Sequence, residues 1–142
     1  MATNGITTAD LNSCIIKGRV DDDTIVLIVL ERDGSINRMG DGSTSPADRT
    51  LYIGVQREPL FDSLMEAVPE ELLQLPAARV EFPDRRGTDC TLSITFGLSD
   101  GTARTYEAVF GSESGAPGDL HDIYQRALAL TEPWWKDQPG RA

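Results

Sequence analysis

The stretch Thr24-Ile25-Val26-Leu27-Ile28-Val29-Leu30-Glu31-Arg32-Asp33-Gly34-Ser35 decides the fold, and Thr91-Leu92-Ser93-Ile94-Thr95-Phe96-Gly97-Leu98-Ser99-Asp100-Gly101-Thr102 repeats its plan 67 residues later. Each runs from a threonine through a strand-forming segment into Asp-Gly and a hydroxyl residue. Asp-Gly between strand-like runs marks a hairpin, because both central residues of a tight two-residue turn need positive φ. The first stretch is apolar without a break from Ile25 to Leu30, which predicts a central strand buried on both faces. The second alternates, with Cys90, Leu92, Ile94 and Phe96 on a dry side and Thr91, Ser93 and Thr95 on a wet one.

Outward from these hairpins, Ser13 to Val20 alternates as a strand and meets the first hairpin through a turn at Asp21-Asp22-Asp23. A short return strand ends near Met39, and Gly40 to Asp48 reads as a surface loop. Thr50 to Gln56 follows as a strand that points Leu51, Ile53 and Val55 to one side. Glu58-Pro59 opens a helix, with Leu60, Phe61, Leu64, Met65 and Val68 on one face. Pro69 interrupts it, Glu70 to Leu75 forms a further short helix, and Pro76 stops that one. Arg79 to Phe82 is a short strand, and Ala103 to Phe110 returns from the second Asp-Gly turn. After the loop from Gly111, Gly118 or Asp119 caps a last helix with Leu120, Ile123, Tyr124, Ala127 and Leu128 facing inward. Glu132-Pro133 is predicted to end it before Trp134-Trp135.

This order predicts a single α+β domain over residues 1–142, with a short tail after about residue 133 and helices on one face of a mostly antiparallel sheet. Strands then helix, twice over, suggests two strand-strand-helix units, a topological hint of a repeat.

The chain carries 23 acidic and 13 basic residues, a formal charge of −10. That sign repels phosphate backbones and anionic lipid, so neither nucleic acid nor a membrane surface is expected as a partner, and it speeds encounter with a basic protein. Acidity also serves solubility alone. The longest wholly apolar run, Ile25 to Leu30, is far shorter than a membrane helix needs, and Met1 to Leu11 lacks the basic start of a secretion signal, so a cytoplasmic protein is expected. Cys14 and Cys90, each on the apolar side of an alternating pattern, then read as reduced core thiols.

Catalytic signatures fail one by one. His121 is the only imidazole, and its place in the last helix beside Leu120 and Asp122 reads as water-facing. Two cysteines and one distant histidine offer no zinc spacing. Gly111-Ser112-Glu113-Ser114-Gly115 puts Glu113 where a nucleophile elbow needs serine. A calcium loop begun at Asp33 would need glycine at Arg38 and glutamate at Thr44. Three adjacent carboxylates at Asp21 to Asp23 diverge too much for a strong cation site. No phosphate-cradling glycine loop with its lysine occurs. No cofactor, metal or catalytic residue is therefore expected, and the reading leans against an enzyme.

Three features suggest binding. Glu58, Asp62, Glu66 and Glu70 recur every four residues, an acidic ridge if the first helix runs through them, though a solvated face has the same look. Trp134 and Trp135 are either anchors for a partner or, for at least one indole, a lid on the protein's own core. Arg85 and Arg86, in the one concentrated basic spot, could grip an anion or simply be solvated. The layout is similar to that of many bacterial inhibitor and immunity proteins, a likeness of layout alone. The expected function is a non-enzymatic protein-binding module, an acidic inhibitor or immunity-type protein occluding a basic partner. The alternatives are a small-molecule or peptide binder orienting an anion with Arg85 or Arg86, and an enzyme with a motif-free site.

Overall fold

The computed structural model describes residues 6–21, 23–40, 50–75, 78–81, 86–113 and 118–138. Seven strands, β1 Leu11–Val20, β2 Asp23–Glu31, β3 Ser35–Met39, β4 Tyr52–Val55, β5 Ala78–Glu81, β6 Asp89–Leu98 and β7 Ala103–Gly111, form one sheet in the order β4-β3-β2-β1-β6-β7-β5. Every pairing is antiparallel except β5 on β7. Helices α1 Leu60–Met65, α2 Glu70–Gln74 and α3 Gly118–Lys136 cover one face. The α+β architecture is the one that the sequence predicts.

Alternation builds the covered face. Cys14 and Ile16 of β1, Val26, Ile28 and Leu30 of β2, Leu92, Ile94 and Phe96 of β6, and Tyr106 and Ala108 of β7 are buried against Leu60, Phe61, Leu64, Leu72, Leu73, Ile123 and Ala127. Each such aliphatic side chain contributes about 1.5–3 kcal/mol when fully withdrawn from water. Phe96 and Tyr106 meet edge to face at 6.1 Å. Arg104 Nη1 donates to Leu73 O (2.7 Å) and Tyr106 Oη to Leu75 O (2.8 Å), which ties α2 to β7.

Five expectations need correction. The central strand is β1, and β2 is not buried on both faces, because among the described residues no helix covers the second one: Leu27 and Val29 are half-buried there. The Asp-Gly turns are not the two-residue kind. Gly34 and Gly101 have φ of +102° and +90°, and Asp21 is the only described residue other than glycine with positive φ. Gly34 N donates to Glu31 O and Gly101 N to Leu98 O, both at 3.0 Å. This is the three-residue loop in which a type I turn ends on a left-handed glycine.

The first helix does not run from Glu58 to Val68. It covers six residues, and Val68 is buried beyond its end. Pro133 does not end α3, which continues to Lys136, so no tail begins at residue 133. The proline forfeits one helical hydrogen bond, and packing replaces it. Trp135 is 4% exposed, and Arg38, buried on β3, donates to Thr131 Oγ1 (2.8 Å) and Leu128 O (3.2 Å) and lies 4.3 Å from the Trp135 ring centre. Finally, His121 is half-buried rather than water-facing. The expected loop at 41–48 and the stop at Pro76 lie outside the described residues.

Candidate functional site

β2 and β6 both run antiparallel to β1, so the two Asp-Gly turns emerge at the same end of the sheet, one on each side of the start of β1. Arg32 N donates to Asn12 O (2.8 Å) and Ser99 N to Asp10 O (2.9 Å), which fastens both turns there. A short 3-10 helix, Thr8–Asp10, precedes β1, and its Asp10 carboxylate accepts from Thr7 N (2.9 Å). The carboxylates of Asp10, Asp33 and Asp100 thus gather at one end of the molecule.

Between this end and α1 lies a cleft of about 370 Å³ whose walls include Glu31, Asp33, Glu58, Asp62, Arg32 and Arg57. The antiparallel register sets it: Ser35 pairs with Val55, so the first Asp-Gly turn lies beside the chain leaving β4. Gln56 N donates to Gly34 O at 2.8 Å.

Arg32 is committed internally. Its Nε and Nη2 donate to Leu11 O (3.0 and 2.8 Å), Nη2 also to Thr8 O (2.8 Å), and Nη1 to Asp62 Oδ1 (3.0 Å), with the guanidinium 4.8 Å from the Phe61 ring centre. Glu58 makes no side-chain hydrogen bond or ion pair among the described residues. Asp33 accepts from Ser35 N (2.9 Å), and that bond, ahead of the Ser35 hydroxyl, holds its carboxyl below the ordinary value. At the other turn the Thr102 hydroxyl (2.6 Å) and then its N–H (2.9 Å) do the same for Asp100. The cleft thus holds two anchored carboxylates, Asp33 and Asp62, beside Glu31 and Glu58, with Arg32 and Arg57 also in its walls.

The sequence-predicted residues are not all brought together. Glu58 and Asp62 line the cleft; Glu66 lies past the end of α1 and reaches Arg126 of α3 at 3.7 Å; Glu70 opens α2. The four therefore do not form one continuous helical ridge. Trp135 is a core residue, and Trp134 is half-buried over β4, its ring 2.8 Å from where a Cβ on Gly54 would stand. Arg86 is exposed before β6, and Arg85 lies outside the described residues.

Glu31, Arg32 and Asp33 were legible as charges flanking a turn, and the meander register sets that turn beside Arg57 and Glu58. Arg38 had one signal, its even spacing from the apolar Ile36, which puts it on the inner face.

His121 stands beside Tyr124, their rings 6.4 Å apart, at an apolar hollow of about 280 Å³ that Cys90, Leu92 and Phe110 also line. Burial raises the Cys90 thiol and, more strongly, that of Cys14, so neither is poised as a thiolate. Among the described residues no group of three or more His, Cys, Asp or Glu side chains is placed to hold a metal ion. Among the described residues no helix is long and apolar enough to cross a membrane. No family model and no curated protein sequence matches the chain.

Proposed function

We propose that this protein is a non-enzymatic protein-binding module, an acidic inhibitor of the immunity type that occludes a basic partner with the turn end of its sheet. The observation that carries the reading is the cleft lined by Glu31, Asp33, Glu58 and Asp62 against Arg57 and Arg32, with Arg32 spent on main-chain carbonyls and Asp62. Asp33 and Asp62, held in place before contact, cost little further ordering when a lysine or arginine arrives. The net charge of −10 adds long-range attraction for such a partner.

The test is capture from native cell lysate by immobilised wild-type protein and by a Glu31→Lys/Glu58→Lys variant, at low and at high salt. A basic protein held by the wild type at low salt, released by high salt and lost by the variant supports the reading. Capture indifferent to both changes removes the cleft from recognition. A second reading, binding of a small apolar ligand, is favoured by the hollow between the sheet and α3 near Tyr124. Arg86 does not line that hollow, and Arg85 lies outside the described residues.

A further inference from the structure

β4 is one edge of the sheet, and its hydrogen-bond phase can be read from Gln56 N donating to Gly34 O. In an antiparallel ladder alternate residues face the same neighbour, so Gln56, Gly54 and Tyr52 turn their main-chain groups toward β3. Leu51, Ile53 and Val55 turn theirs outward, where among the described residues no strand lies. The side chains of these same three residues stand on the open face, 43%, 68% and 74% exposed. From Leu51 to Gln56 no residue is charged.

The opposite edge is built differently. β5 carries Arg79 and Glu81, and Arg79 is ion-paired to Glu81 and to Glu107 of β7. Charge on a short edge strand is a common protection against pairing with another chain. β4 has the shortness without the charge.

We propose that β4 is the surface through which two copies of this chain associate, antiparallel across a two-fold axis at Ile53, merging two seven-stranded sheets into one. Three arguments select a second copy as the occupant. The register is self-complementary: Ile53 opposes Ile53 of the second copy and Leu51 opposes its Val55, apolar pairs whose outward N–H and C=O groups meet.

On the helix face Tyr52 opposes Gly54 of the second copy, beside the Trp134 ring that already covers that glycine. An aromatic residue across from an edge glycine is a stabilising pair. Charge also selects the strip: two chains of −10 repel over most of their surfaces, and an uncharged strand lets them approach without apposing like charges. Pairing β4 with β5 of another copy would instead set Arg79 and Glu81 against aliphatic side chains, in a head-to-tail contact that need not close.

Sedimentation equilibrium of the full chain from about 1 to 200 µM, the range in which a small interface is expected to act, tests this. The expected result is a mass rising toward twice the monomer, at lower concentration as salt screens the like charges. Ile53→Lys sets two lysines face to face at the axis and should weaken association about tenfold or more. Val55→Lys, one pair away, should do the same, so the test survives if one variant folds poorly.

Amide exchange at Ile53 and Val55 should slow with concentration while that at Gly54 does not. A monomer at every concentration, or a dimer that both lysine variants leave intact, overturns the proposal. So does an edge that protects its amides only when another protein is added. Because the dimer should tighten with salt and should not be weakened by Glu58→Lys, which lowers the like charge of each copy, its failure and that of the acidic-cleft reading are separately visible.

Discussion

Glycine at the two Asp-Gly turns illustrates how one residue type does two jobs. Gly101 has only a conformational role, since a Cβ there would meet nothing within 4 Å. Gly34 has that role and a steric one, because its Cβ would stand 2.9 Å from the Gln56 carbonyl oxygen. Gly101→Ala should therefore cost about 1 kcal/mol, and Gly34→Ala roughly 2 kcal/mol or more. Urea midpoints of the two variants check the order, and equal losses would contradict it.

The same turns give a pH expectation. Asp33 and Asp100 have carboxyls held below their unfolded values, so each contributes stability that is present at neutral pH and lost as pH falls through the folded value. Asp100→Asn should flatten the acid limb of the stability curve, read from melting temperatures between about pH 2 and 6, the range around ordinary carboxylate titration. Arg38, fully buried, should matter more than any surface charge. Arg38→Ala removes its hydrogen bonds and its stacking on Trp135, at a cost of about 3 kcal/mol by denaturant titration. Glu132→Gln should cost less than Arg38→Ala, about 1–3 kcal/mol, since the glutamine oxygen can still accept from the buried guanidinium while its charge loses a partly exposed carboxylate.

At the scale of elements, the hairpins were legible in sequence because their signals are local: alternation, an unbroken apolar run, and Asp-Gly. The turn type was not, since two- and three-residue loops share that dipeptide and differ only in register. Pro133 misled for a related reason. The rule that proline ends helices counts one lost hydrogen bond, whereas the compensation comes from Arg38 and from the seat of Trp135, more than ninety residues away for the arginine. Pro133→Ala restores the missing N–H for Ala129 O in an otherwise helical segment and should raise stability by about 1–3 kcal/mol. An unchanged or lowered melting temperature would show that the helix end depends on the proline.

For the whole molecule, the sequence predicted the layers and left open which sheet face the helices leave bare. Apolar alternation in Leu51, Ile53 and Val55 cannot say whether that side meets a core or water; in the fold it meets water. The acidic site was half legible. Spacing singled out Glu58 and Asp62, both of which line the cleft although Glu58 precedes α1, while Glu31 and Asp33 reach its walls through sheet register.

The most direct measurement is the association rate with the partner captured at low salt, followed against ionic strength for wild type and for Glu31→Lys/Glu58→Lys. Steered association should slow steeply as salt rises, and the double reversal, a local change of four charge units, should flatten that slope and lower the low-salt rate about tenfold or more. Equal slopes and equal rates for the two proteins would contradict recognition by the acidic turn end.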